Sequence, residues 1–312
     1  MNVPAKSRYS DFNLYDYFYS LVRQIPSGMV CTYGDLARAL GDPISVRAVG
    51  LMLSENPDPD GTECFRVVLS DGKVGNFTHP LGQREKIRRL ENDGISVTDG
   101  RIDNFEGVRF TEFRSSRPLA AMADEQSMMA TQLDLHGEVT EPLAAVDVSY
   151  DGRMAYAALV WNEDGNVHSR YYIKEVNFPY IPTYLTYRES DVLLGVIGDF
   201  GGTVLVDGQG IYHPRFCGLA SCIGLNRDYA TIGVGKSRLS GEVRDNSVLI
   251  SGREVARTAM DRYISPGNLI DLKTSVSTIE KNRTAIRLTT EAHNAATYVK
   301  KVYKGRPKTA QV

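Results

Sequence analysis

The stretch Thr203–Arg215, TVLVDGQGIYHPR, constrains the fold of this chain more than any other. Thr203 to Val206 is a short β-branched run, the pattern of a strand covered on both faces. It ends on a carboxylate, Asp207, and passes at once into a loop holding Gly208 and Gly210. An acid at the mouth of a buried strand, beside backbone that a ligand can approach closely, is a common mount for a metal. His213 and Arg215 follow, so a base and a phosphate partner can share that mouth. A strand end with an incidental Asp has the same local pattern, and the rest of the chain decides between the two.

Leu143–Tyr150, LAAVDVSY, is a second buried strand, carrying Asp147. The segments 153–161 and 167–176 continue it as an antiparallel meander. Next comes NFPYIPTYLTYRESDVLLGVI, a proline-stiffened loop feeding a helix that carries Glu189. Strand-Asp, meander, helix-Glu, strand-Asp is the order of a ribonuclease-H-like fold, a mixed sheet flanked by helices in which the acids converge at strand ends. Three carboxylates on separate elements can hold one or two Mg2+ ions, hard cations that prefer oxygen. Such sites hydrolyse phosphodiesters. Pro179 and Pro182 stiffen the backbone around Tyr180 and Ile181. The expected result is an apolar wedge that fills a base stack when a nucleotide is extruded; a tyrosine packed over the sheet is the plainer alternative.

In order, VDVSY, FPYIP, YRE, VDGQGIYHPR, FCGLAS, IGVGKS and YISPGNLIDL resemble the endonuclease V family across about residues 126–297. The resemblance implies an Mg2+-dependent nuclease, with Mn2+ as a substitute, acting on hypoxanthine in DNA. It implies a cut at the second phosphodiester 3′ to the lesion, leaving 3′-hydroxyl and 5′-phosphate ends. Asp147 and Asp207 are then expected as metal ligands, with Glu189 completing the acidic site. Lys236 is expected to face the scissile phosphate and His213 to sit beside the metal. His293 matches a late family histidine, although a surface helix would carry one equally well. Gly208, Gly210 and Gly218, with Pro182, Leu185 and Leu239, resemble the pocket for the flipped base, where backbone N–H groups would read the O6 atom. Thr183, where glycine is common, and Asn268, where histidine usually follows SPG, depart from the pattern and put substrate range in question.

The first hundred residues have a different organisation. Residues 12–25 repeat apolar side chains at helical spacing and stop at Pro26-Ser27-Gly28. Thr32 is placed to cap a helix through about Leu40, Gly41-Asp42-Pro43 is a turn, and Ser45–Ser54 reads as a second helix. By pattern this is a helix-turn-helix or an ordinary helical hairpin. IPSGMVCTYGDLARALG, SVRAVGLMLSENP, CFRVV and DGKVGNF resemble the C-terminal, winged-helix-like domain of the O6-alkylguanine-DNA alkyltransferases, over about residues 12–100. That resemblance implies that the second helix enters the minor groove, that Arg47 fills the gap left by a flipped base, and that Tyr33 helps rotate the phosphate. It also implies that Asn56 orients the turn bearing Cys64 and Arg66. The reactive turn departs from the family: Glu63-Cys64-Phe65-Arg66 stands where Pro-Cys-His-Arg is usual. A free thiol of pKa roughly 8.5 is only a few per cent thiolate near neutrality, and Glu63 beside it is expected to disfavour the thiolate further. The expected module binds damaged bases without repairing them; slow O6-alkylguanine transfer through Cys64 and a structural remnant are the alternatives.

An α/β chain of two domains follows, residues 1–115 and 116–312, with a turn-rich linker at Ser115–Pro118 and a helical pattern from Met122 to Leu135. At 312 residues and a net charge of -2 there is room for both but no global basic field, so nucleic acid must be met by local patches. The basic tail, 298–308, reads as a solvated segment. Four cysteines without metal-ligand spacing point to reduced thiols. No apolar run reaches the length of a membrane span and the first residues lack a signal-peptide core, so a cytoplasmic location is expected. The expected partner is damaged DNA, double- or single-stranded. An inosine-specific RNA nuclease and a non-catalytic damage sensor are the rival readings.

Overall fold

The computed structural model describes residues 7, 9, 11–305 and 309–311; the ends of the N-terminal segment and of the basic tail, residues 1–6 and 306–308, lie outside them. The chain forms two compact units, residues 12–122 with 177–182, and the remaining described residues.

In the first unit α1 (Leu14–Val22) is capped by Asn13, whose side chain accepts from the N–H groups of Tyr15 and Asp16. β1 (Cys31–Thr32) leads into α2 (Tyr33–Leu40), and Thr32 and Asp35 bond reciprocally as a capping box. Gly41, at φ 106°, ends α2 in a backbone conformation that side chains avoid. A short 3-10 turn then opens α3 (Val46–Ser54), so the expected helix-turn-helix forms. β2 (Val67–Val68) pairs in parallel with β1, and α4 (Gly82–Asn92) and a small hairpin of β3 (Val97–Thr98) and β4 (Arg101–Ile102) complete the unit. Val30, Phe65, Val68, Val74, Leu90 and Ile95 form a core. Phe65, the residue that replaces histidine, belongs to that core.

α5 (Pro118–Ala130) starts on the proline expected to centre the linker, four residues ahead of the expected helix. Proline at a first helical position costs nothing, because its missing N–H would be unpaired there anyway. The division between the units falls inside this helix.

The second unit is built on β5 (Leu143–Asp151), β6 (Met154–Glu163), β7 (Asn166–Glu175), β8 (Thr203–Val206), β9 (Thr231–Gly235), β10 (Glu242–Arg244), β11 (Ser247–Ile250), β12 (Arg253–Ala259), β13 (Arg262–Asn268) and β14 (Thr309–Gln311). They join in the order β10-β11-β12-β13-β9-β8-β5-β6-β7-β14. β5, β8 and β9 run parallel at the centre, and β5, β6 and β7 form the antiparallel meander. The helices α6 (Leu185–Ile197) and α7 (Leu219–Arg227) cover one face; α8 (Leu272–Lys281) and α9 (Arg283–Tyr303) cover the other. Strand alternation decides which residue meets which helix. Ala144 and Val146 of β5 pack on the α6–α7 side with Val204 and Val206 of β8, whereas Leu143, Ala145 and Leu205 pack on the α8–α9 side. Among the described residues no helix is long and apolar enough to cross a membrane.

The loop after β8 is packed backbone on backbone. A Cβ on Gly210 would lie 2.0 Å from the Pro266 carbonyl oxygen, and one on Gly218 would lie 2.4 Å from that of Gln209. Gly210→Ala therefore has to push β13 away from the loop. The expected loss is about 1–3 kcal/mol of stability, read as a lower urea midpoint; an unchanged midpoint refutes the packing argument.

Candidate functional site

The parallel register of β5 and β8 pairs Val146 with Val206, so the next residue on each strand, Asp147 and Asp207, emerges side by side. Both occupy odd positions of the alternation and face the α8–α9 side. His293 of α9 reaches them there, its Nδ1 2.7 Å from Asp147 Oδ2. One ligand atom from each of Asp147, Asp207 and His293 lies within 4.8 Å of the others. Lys236, just past β9, binds Asp207 Oδ2 through Nζ and stands 3.8 Å from Asp147 Oδ2. Its ammonium, expected at a phosphate, here bridges the two acids.

Glu189 comes from the opposite side. It is buried on α6, where the hydroxyl of Tyr150, an α6-facing residue of β5, donates to its Oε1 at 3.0 Å. The guanidinium of Arg188 stacks 4.0 Å above the Tyr150 ring. Three converging carboxylates were the expectation; the cluster that forms is two carboxylates and an imidazole, with the third carboxylate held behind them by a tyrosine. Burial pushes the Glu189 carboxyl up to about 8, and the charges of Asp147 and Asp207 add to the rise. Burial first, and the neighbouring Asp207 second, push Asp147 up to about 6 against the opposing pull of His293 and Lys236. Burial and mutual repulsion thus make further negative charge unfavourable at this point. The two carboxylates and the imidazole offer one donor atom each to a divalent cation, the oxygens suiting hard ions and the nitrogen borderline ones.

His213 is a correction. It is buried, its Nε2 lies 3.0 Å from the Thr183 carbonyl oxygen, and its Nδ1 accepts the Arg215 N–H at 3.2 Å. Both ring nitrogens are spent on backbone, so the ring locks a loop instead of meeting a metal. Burial, helped by the charge of Arg215, drops its pKa to about 3, so it stays neutral. Arg215, expected as a phosphate partner, donates to the Thr183 carbonyl and hydroxyl and to Gln126 and stacks on Tyr184. It braces the loop. Thr183 stands at φ 67°, a conformation unusual for a β-branched residue, which is why glycine suits this position.

The expected base pocket is altered as well. The Gly210 N–H donates to Ser265 Oγ and the Gly218 N–H to the Gly210 carbonyl, so neither amide is available to read a base. A Cβ on Gly208 would press on Leu219. Leu185 is half-buried at the start of α6, and Leu239 is partly exposed in the loop after Lys236. Asn268 is buried and accepts the Asp134 N–H through Oδ1, bracing β13. Residues 177–182 belong to the first unit; there Tyr180 is 59% exposed but Ile181 is buried, so the presented side chain is the tyrosine alone, beside a half-buried Pro182.

In the first unit a cavity of about 260 Å³ is lined by Tyr33, Gly50, Ser54, Cys64, Asn76 and Lys86, among others. Arg47 is exposed on α3. Asn56 donates to Thr62 Oγ1 and accepts the Asp58 N–H, fixing the turn that leads to Cys64. Cys64 is buried, and burial pushes its thiol up. Glu63 does not contribute to that rise: its carboxylate turns away to Arg66, 2.5 Å from Nη1. Arg66 itself is buried, paired with Asp93 at 2.7 and 2.9 Å and donating to the Ile25 carbonyl. It is an internal strut and not a DNA contact. Lys86 was missed by the sequence reading; its charged type suggests a surface, and only the fold buries it.

The endonuclease V family model matches residues 126–296, and the model for the DNA binding domain of 6-O-methylguanine DNA methyltransferase matches residues 13–95. A bifunctional methyltransferase/endonuclease of Thermoplasma volcanium is 43% identical over 294 residues, covering 92% of this chain and 90% of its own. One from Picrophilus torridus is 43% identical over 269 residues, covering 86% of this chain and 89% of its own. The crystal structure of Ciona intestinalis Endonuclease V, in complex with a 23mer DNA containing an inosine followed by a ribo-adenosine, superposes with a TM-score of 0.50 at 19% identity, over 60% of this chain and 99% of that one, a likeness of fold.

Two outcomes follow from these placements. Arg66→Ala leaves the half-buried Asp93 with only the Ser27 hydroxyl and the Gly28 N–H, and the Ile25 carbonyl without its donor, and the expected cost is about 1–3 kcal/mol, measured by urea unfolding. The second concerns His213, whose pKa is about 3 when folded and an ordinary 6.5 when unfolded. The unfolded chain therefore binds a proton that the folded one refuses between those values, and stability is lost as pH falls through that window. His213→Gln should lose less stability than wild type between about pH 6.5 and 4; equal losses would show that the ring is not held neutral.

Proposed function

Because the chain belongs to the endonuclease V family and carries an alkyltransferase-like DNA-binding domain ahead of it, we propose that it is a DNA repair endonuclease that nicks beside deaminated adenine, hypoxanthine. The expected cut is at the second phosphodiester 3′ to the lesion. The observation that carries this reading is the Asp147–Asp207–His293 cluster with Lys236 against it. Asp147, Asp207 and His293 would hold Mg2+ or Mn2+, and Glu189 stands behind them. When bound, the ion supplies charge stabilisation at the phosphate and an acidified water. The chain's own part is to fix the donors: the strand register sets the two acids, α9 brings the imidazole, and Tyr150 restrains Glu189. Lys236, freed from the acids once their charge is met by an ion, is within reach of an incoming phosphate. Asp147 is close enough to His293 to orient its ring for ligation.

The first unit is read as a damaged-base-binding module in which alkyl transfer is slow or absent, since Phe65 offers no base and burial disfavours the Cys64 thiolate. Exposed Arg47 on α3 and the cavity beside Cys64 are the features that support base extrusion toward it.

Nicking of inosine-containing duplex with Mg2+ tests the assignment. Asp207→Asn is expected to abolish nicking, and His293→Ala to lower it by about 10–100-fold. His213→Gln should retain it. Wild-type nicking by Asp207→Asn would overturn the metal site; cleavage of inosine RNA in preference to the matched DNA would overturn the substrate.

A further inference from the structure

Two of the four cysteines have no part in either site, yet the fold sets them against each other. α7 begins after its N-cap, Gly218, so Cys217 is the residue before the cap and Cys222 the fourth of the helix. Side chains at these two positions meet across the first turn of a helix, where an apolar pair commonly fixes the entry of the chain. Here both are thiols, fully buried, and their sulfurs lie 3.1 Å apart. Carbon atoms, which are smaller than sulfur, sit about 3.5–4.0 Å apart in ordinary contact. A disulfide bond is about 2.05 Å long, so roughly one ångström of approach separates this pair from a covalent link. Packing alone would be served by leucine or valine.

Cys222, and not Cys217, lines a cavity of about 40 Å³ between α6 and α7, together with Thr186, Tyr187, Ser190 and Asn226. A water-sized molecule needs about 10–15 Å³ of such space, so hydrogen peroxide fits. The Thr186 hydroxyl donates to Cys222 Sγ at 3.5 Å. The buried Ser190 hydroxyl has no hydrogen-bond partner among the described residues. A small polar molecule therefore has hydroxyl groups to bind beside this sulfur.

We propose that Cys217 and Cys222 are a redox-active dithiol, which a small peroxide closes to a disulfide that ties the loop after β8 to α7. The Cys222 sulfur attacks one oxygen of the peroxide and the O–O bond breaks, giving a sulfenic acid and one water. The Cys217 sulfur then displaces the sulfenic hydroxyl, which leaves as a second water with the thiol proton. Two thiols lose two electrons and the peroxide gains them. The hydrogen bond with Cys222, and then burial, push the Cys217 thiol well up, so it stays protonated and the first step falls on Cys222. The consequence is mechanical. The Cys217 carbonyl accepts from Gln126, whose Oε1 accepts from Arg215, and the Gly218 N–H donates to the Gly210 carbonyl. The new bond fastens this web to the body of α7. The proposal rests on neither the nuclease reading nor the base-binding one.

The test uses the full-length protein, reduced, freed of reductant and treated with hydrogen peroxide. It is then denatured in N-ethylmaleimide and digested with trypsin, which releases both cysteines in one peptide, residues 216–227. That peptide should be lighter by two hydrogens and carry no maleimide, and dithiothreitol before the block should restore two maleimides. Cys31, equally buried but without a sulfur partner, should keep its maleimide. Two maleimides on the peptide after peroxide, or a sulfinic acid on either residue, overturns the proposal. Cys217→Ser removes the second thiol, so dimedone added with the peroxide should label Cys222. No adduct there overturns the cavity as the route. Should that variant fail to fold, the wild-type digest still decides. The oxidised protein should also unfold at a higher urea midpoint than the reduced one, with no such rise in Cys222→Ser. An equal or lower midpoint in the oxidised wild type refutes the tie between loop and helix.

Discussion

Two carboxylates forced side by side by a parallel strand register are the constraint on which the second unit depends. Val146 opposite Val206 leaves Asp147 and Asp207 no choice of neighbour. Full charges within 4.8 Å repel by about 3–4 kcal/mol at the effective dielectric of a protein surface. Everything around them answers that repulsion. Lys236 inserts its ammonium, His293 offers a hydrogen bond from the next layer, and Asp147 is pushed toward protonation by burial and by Asp207. The arrangement is unfavourable alone, and added positive charge at this point would relieve it.

The first unit solves a different problem with the same means. At the Cys64 turn the neighbouring residue is core: Phe65 packs with Val30, Val68 and Leu90. Glu63 and Arg66, which flank the sulfur in sequence, bond to each other and to Asp93. The charged groups nearest Cys64 along the chain are therefore satisfied without it. The cation that shares its cavity arrives from twenty-two positions downstream, on α4.

Much of this was legible from the residues. Two buried runs ending in Asp gave the central strands, and Thr32 marked the start of α2. His293 was visible only as a helical histidine, because its partner lies 146 residues away. Strand alternation explains how Glu189 approaches: Asp147 is odd and Tyr150 even in β5, so a carboxylate on α6 meets the tyrosine. His213 and Arg66 looked functional because charged and titratable types usually face solvent or ligand. Here each is consumed by backbone or by an internal pair, a fact of three dimensions that spacing does not carry. Glycines at 210 and 218 were read as openings for a base and are instead places where two backbones touch.

The odd-even division of β5 and β8 also governs which changes of length this protein can absorb. One residue inserted upstream of Asp147 within β5 would turn that acid toward α6, beside Glu189, and away from His293. The same insertion in the turns at 151–153 or 163–165 would leave the pairing untouched. Changes of length are therefore absorbed more easily in such turns than in the two central strands, whose ends carry the paired acids.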